Sequence, residues 1–153
     1  MPLTRIALRA GKPAEYRKAL TDGIQRSLED TFNVPKNDMF MLITEHEASN
    51  LIYDRQYLNI ERSDDFVAIQ LTVSNTRTID QKKALYRRIV DELAKSPGLR
   101  REDVFISLVE VEKENCRSVM GLPNMRFDAA TDVMAGKLHA SRMSRRRRGS
   151  ASL

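Results

Sequence analysis

Lys18-Ala19-Leu20, with Ile24 and Leu28 behind it, is written a second time sixty-five residues further on as Lys83-Ala84-Leu85, Ile89 and Leu93. The same ungapped offset puts Asp38 on Asp103, Phe40 on Phe105, Glu45 on Glu110 and Glu47 on Glu112. Tyr16, Leu20, Ile24 and Leu28 share one helical face, as do Leu85, Ile89 and Leu93, with Lys, Arg, Asp and Glu opposite. Both copies therefore predict an amphipathic helix. Pro13 suits a first helical turn, Thr78-Ile79-Asp80-Gln81 is a capping-box pattern, and Pro97-Gly98 closes the second helix.

Strand patterns flank each helix. Leu3, Arg5, Ala7 and Arg9 alternate with Thr4, Ile6 and Leu8; Phe40, Leu42 and Thr44 alternate with Met41 and Ile43. Val67, Ile69, Leu71 and Val73 lie on one face of a third strand, and Phe105 and Leu108 belong to a fourth. Each copy thus reads strand, helix, strand: 2–9, 13–32 and 39–46, then 66–74, 79–95 and 104–111. Two such units predict an α/β fold, a duplicated β-α-β unit whose four-stranded sheet carries both helices on one face. The other sheet face is left apolar and bare, and oligomerisation is the natural way to cover it. Repeat 1 spans about 2–47 and repeat 2 about 66–112. The linker, 48–65, contains Leu51-Ile52-Tyr53 and Tyr57-Leu58-Asn59-Ile60, which fit short edge strands or a hairpin.

Composition narrows the function classes. The chain of 153 residues has no apolar run long enough to span a membrane, and its N-terminus lacks a signal-peptide pattern, which predicts a cytoplasmic protein. One cysteine, Cys116, excludes an intrachain disulfide, and with only two histidines no metal-ligand spacing exists, so no metal or cofactor is expected. The net charge of +5 is unevenly spread. Residues 1–115 hold 18 Lys and Arg against 19 Asp and Glu, whereas residues 116–153 hold 8 against 2. The body is near neutral, so the basic total does not make it a nucleic-acid binder.

Pro2 carries the first chemical suggestion. If Met1 is removed, which a small second residue permits, the ring nitrogen of Pro2 becomes a free secondary amine at the start of a core strand. Such an amine is a candidate general acid or base, its pKa tuned by burial and neighbouring cations. The same Pro also suits a first strand residue that need not donate to the ladder.

A duplicated β-α-β unit beginning Met-Pro resembles the tautomerase superfamily, and within it the malonate semialdehyde decarboxylase-like branch. The resemblance covers about residues 1–115. It rests further on Val34-Pro35-Lys36-Asn37-Asp38, Ile60-Glu61-Arg62-Ser63-Asp64, Arg77-Thr78 with Gln81-Lys82, and Glu112 to Asn115. It implies a homotrimer with Pro2 as catalytic amine, Asp38 orienting or activating water, and Arg77 binding a substrate carboxylate through a bidentate pair. Asp38 also fits a cap or turn, since Asp103 occupies the equivalent place in repeat 2. The first of the branch's two arginines is replaced here by Asn75, a neutral donor, which argues mildly against decarboxylation.

After Asn115 the family pattern would continue Trp-Ser-Phe-Gly-Asn-Gly, supplying aromatic pocket walls. This chain reads Cys116-Arg117-Ser118-Val119-Met120-Gly121. Written as codons, tgg tcg ttc ggt aat ggg loses one g to become tgt cgt tcg gta atg gg, which encodes those six residues. In the original frame, Leu122-Pro123-Asn124-Met125-Arg126 can encode Ala-Ala-Gln-Tyr-Ala, and Phe127-Asp128 can contain a tga stop. Residues 116–153 then read as a frame-shifted basic tail, and Arg145-Arg146-Arg147-Arg148 as an accident of frame. Codons 115–118 that match those of related genes would remove this reading. The alternative is a native disordered tail, its Ser, Arg, Gly and Ala having no helical or strand period. Either way the pocket lacks its Trp and Phe, so restoring the family pattern after Asn115 is expected to raise catalytic efficiency; equal values would refute the expectation.

Three functions follow. The first is a cofactor-independent tautomerase acting on small oxo-acids, with Pro2, Arg77 and Asp38 in the roles above and Asn75 beside the carboxylate. The second keeps the scaffold but hydrates or decarboxylates a beta-oxo acid. The third is a catalytically weak binding or assembly domain with a basic tail. Salt-dependent nucleic-acid binding lost on cutting at Asn115 would mark the third.

Overall fold

The computed structural model describes residues 2–112 and 115. Its main elements run β1 (Leu3–Arg9), α1 (Ala14–Phe32), β2 (Met41–His46), β3 (Val67–Ser74), α2 (Ile79–Lys95) and β4 (Val104–Val111). The sheet order is β2-β1-β3-β4. Each repeat contributes one parallel pair, β1 with β2 and β3 with β4, and the repeats join through the antiparallel pair β1–β3, in register Leu3↔Thr72 to Leu8↔Val67. The fold is the expected α/β duplication.

Alternation decides which face is core. Ile6 and Leu8 of β1 and Val67, Ile69, Leu71 and Val73 of β3 are buried beneath Leu20, Ile24, Leu28 and Phe32 of α1 and Leu85, Ile89 and Leu93 of α2. Burying each of these side chains is worth about 1.5–3 kcal/mol before chain entropy is counted. Gly23 lets the helices meet closely, because a Cβ there would lie 3.1 Å from Leu93 Cδ2. The repeat extends to its ion pairs: Arg17–Glu45 at 3.1 Å in the first copy corresponds to Lys82–Glu110 at 2.7 Å in the second.

The opposite sheet face is uncovered within the chain. It carries Leu42, Phe105 and Val109, all exposed, but also exposed Arg5, Thr44 and Gln70, so it is amphipathic rather than uniformly apolar. The strand pattern of Phe40, Leu42 and Thr44 faces outward here, and Met41 and Ile43 pack inward.

Segment 48–65 departs from expectation. It forms two short 3-10 turns, Ala48–Asn50 and Tyr57–Asn59, and adds no edge strand or hairpin. Leu58 and Asn59 adopt φ of 61° and 57°, which no strand accommodates. Asp54 accepts the N–H of Gln56 at 2.7 Å, an Asx turn that competes with strand pairing. Tyr53 stacks on Phe66, 4.2 Å between ring centroids, and donates to the Ser63 carbonyl at 2.6 Å.

Candidate active site

Pro2 stands one residue before β1 and is buried. Because side chains alternate along the strand, Pro2 shares the helix-facing side with Thr4, Ile6 and Leu8. Continuing the β1–β3 register one step past Leu3↔Thr72 puts Pro2 opposite Val73. α1 supplies the adjoining wall. Its last residue, Phe32, is only 1% exposed, and the helix closes at Asn33, whose left-handed backbone sends its N–H to the Leu28 carbonyl and turns the chain so that Val34 also packs inward.

The third wall follows β3. Beyond Ser74 the chain turns through Asn75 and Arg77 into α2, whose start is held by the capping box. Thr78 Oγ1 accepts the Gln81 N–H at 3.2 Å, and Gln81 Oε1 accepts the Thr78 N–H at 3.0 Å. This pins the backbone next to Arg77. The Arg77 guanidinium lies over the Phe32 ring, 5.0 Å from its centroid. Pro2, Phe32, Val34, Val73, Ser74 and Arg77 together line a cleft of about 20 Å³. That is room for about one water molecule.

The structure thus brings Pro2 and Arg77 to one cleft. Asp38 and Asn75 do not line it. Asp38 is half-buried at the end of the turn over residues 35–38, its N–H on the Pro35 carbonyl at 2.9 Å. The exposed Asn75 donates its side-chain amide to Glu112 Oε1 at 2.7 Å and its backbone N–H to the Val111 carbonyl at 3.0 Å. Phe32, Val34, Val73 and Ser74 were not singled out as site residues by sequence. Phe32 carried a signal, because it extends the stripe of Leu20, Ile24 and Leu28 by one further step of four.

A family profile described as "Tautomerase enzyme" matches residues 38–116, and a second profile with the same description matches residues 2–57. The chain belongs to the tautomerase family. It is 39% identical over 115 residues to the probable tautomerase YusQ of Bacillus subtilis (strain 168), covering 75% of this chain and 91% of that protein. Among solved structures it is similar to FG41 malonate semialdehyde decarboxylase inhibited by 3-bromopropiolate, with a TM-score of 0.72 at 29% identity over 80% of this chain and 91% of the other. A further malonate semialdehyde decarboxylase, solved as wild type, mutant and inactivated enzyme to account for decarboxylase and hydratase activities, gives 0.73 at 25% identity over 78% and 92%. The family and its named relatives make this chain a tautomerase-type enzyme, an isomerase.

Among the described residues no helix is long and apolar enough to cross a membrane, and no group of three His, Cys, Asp or Glu is placed to hold a metal ion. Met1, Cys116, the basic tail 116–153 and its arginine run lie outside the described residues.

Proposed function

We propose that the chain is a cofactor-independent tautomerase that moves a proton on the carbon next to the carbonyl of a small oxo-acid, with Pro2 as acid/base. The observation that carries this reading is the shared cleft, where a proline able to become an N-terminal amine lies with an arginine able to bind a carboxylate.

Removal of Met1 would turn the Pro2 nitrogen into a secondary amine at this cleft. Burial and the neighbouring Arg77 cation both disfavour its protonated form and favour the neutral amine. Arg77 receives the substrate carboxylate through paired N–H donors and aims the carbon next to the carbonyl at Pro2. In the enol-forming direction neutral Pro2 takes the carbon-bound proton, while a water, oriented by Asp38, supplies a proton to the oxygen. Ketonisation runs the same steps in reverse. An oxo-acid is several times larger than one water, so the substrate occupies the mouth of the cleft or widens it.

The sheet face opposite the helices is the surface through which copies of the chain would assemble, as the homotrimer. The similarity to two malonate semialdehyde decarboxylases favours a second reaction, hydration or decarboxylation of a beta-oxo acid. Asn75, held on Glu112 where that branch has an arginine, argues mildly against it.

The test is ultraviolet-monitored ketonisation of phenylenolpyruvate by the parent and by Arg77→Ala. Loss of a charge-assisted bidentate contact predicts a fall in kcat/KM of about 10- to 100-fold, mostly through KM, with Arg77→Lys between the two. Turnover of phenylenolpyruvate by Arg77→Ala at the parental kcat/KM would remove Arg77 from the mechanism.

A further inference from the structure

Arginines on this surface are mostly neutralised. Arg9, Arg17, Arg26, Arg55, Arg88 and Arg101 each pair with a carboxylate. Arg77 does not: among the described residues its contact is the face of Phe32, 5.0 Å from the ring centroid. A carboxylate partner would hold Arg77 too, but by its N–H edge, using the donors and cancelling the charge that an anionic substrate needs. An aromatic face holds a guanidinium by its flat side and leaves the N–H groups around its rim available. Phe32 is suited to that task. It is 1% exposed, fixed in the core at the end of α1, and lines the same cleft as Arg77 and Pro2.

We propose that Phe32 is a positioning residue, a shelf that holds the Arg77 guanidinium at the cleft with its charge uncancelled and its donors free for the substrate carboxylate. This rests on the reading of Arg77 as carboxylate anchor. It assigns a working role to a side chain that sequence periodicity marks only as core. Phe32 acts through Arg77, so its contribution should vanish when Arg77 is gone.

A double-mutant cycle measures that dependence. The probe is 3-phenylpropanoate, a non-reacting arylcarboxylate, titrated calorimetrically into the parent, Phe32→Leu, Arg77→Ala and the double variant. 3-Phenylpropanamide is the uncharged control. The aliphatic replacement should weaken 3-phenylpropanoate about fivefold in the parent background and leave the amide unchanged, since a partly desolvated cation–aromatic contact is lost. In the Arg77→Ala background the same replacement should change affinity less than about twofold. In ketonisation KM should rise while kcat stays near the parental value. Phe32→Met, similar in volume to Phe32→Leu and equally without a ring, must repeat the pattern and guards against a folding defect in one variant.

Equal losses with and without Arg77 would overturn the proposal and make Phe32 an ordinary core or wall residue. Retention of full affinity by Arg77→Ala alone would sink the anchor reading as well. Weak binding by Arg77→Ala together with an additive Phe32→Leu loss would leave the anchor standing and remove only the shelf.

Discussion

Pro2→Ala is expected to lower kcat/KM for phenylenolpyruvate ketonisation by at least about 100-fold, the range over which a positioned general acid–base group acts. Alanine at position 2 also permits removal of Met1, so the variant still presents an N-terminal amine. What it loses is the ring. In Pro2 the ring fixes the torsion about the N–Cα bond and with it the direction of the nitrogen lone pair, whereas the primary amine of alanine rotates freely about that bond. Proton transfer to or from carbon depends on holding the amine within hydrogen-bond reach in one orientation, so freedom there reduces rate more than binding. The fall should therefore appear in kcat, in contrast to Arg77→Ala. Pro2 stands before the first ladder residue of β1 and contributes no N–H to the sheet, so circular dichroism and thermal unfolding should stay close to the parent. Intact mass must first establish that Met1 is absent from both chains. A Pro2→Ala enzyme without Met1 that kept parental kcat would take the proline out of the chemistry.

The repeat is why so much of the fold was legible. An offset of sixty-five residues forces two equivalent strand-helix-strand units, and observed bounds such as Ile79–Lys95 and Val104–Val111 match those expected from capping residues and alternation. Period two shows that a strand has two faces without saying which one meets the helices. Phe40 and Phe105 are equivalent by repeat and both point away from the core, at 47% and 50% exposure. Residues 48–65 read as strand in sequence because Leu51, Ile52, Tyr53 and Tyr57 are strand formers. The Asx turn at Asp54 and the left-handed backbone at Leu58 and Asn59 override that propensity. The meeting of Pro2 with Arg77 could be inferred from sequence only through the family resemblance. Its physical cause is the β1–β3 register, which aligns the start of one strand with the end of the other. At Phe32 periodicity marks a buried ring as core and cannot show the Arg77 cation lying over it.

The pair Asp38 and Asp103 poses the remaining ambiguity, one repeat position with two candidate duties, and mutation separates them. Asp103 is 0% exposed and accepts two hydrogen bonds from Ser63, the backbone N–H at 2.5 Å and Oγ at 2.7 Å, with the Arg100 guanidinium 3.7 Å away. Arg100 in turn donates to the Glu61 carbonyl at 2.9 Å. The end of the inter-repeat segment, which has no strand pairing of its own, is therefore tied to the start of β4 by one buried carboxylate. Hydrogen bonds to a charged group contribute about 1.5–3 kcal/mol each, and their loss would also leave the Ser63 N–H without its acceptor. Asp103→Ala is thus expected to destabilise the fold by about 3 kcal/mol, measured as a lowered urea midpoint with little change in slope. Asp103→Asn should fall between, because its amide oxygen still accepts one bond while the NH2 group opposes the other donor. Asp38, half-buried in a turn and proposed to assist at the oxygen, should show the converse. Asp38→Ala should stay within about 1 kcal/mol of parental stability and lose about tenfold in kcat. An Asp103→Ala loss below about 1 kcal/mol would refute the tether. If instead Asp38→Ala carries the larger stability loss with kcat intact, the duties of the two copies are the reverse of those assigned here. Either result shows whether the duplicated unit has divided structure and chemistry between its two acids.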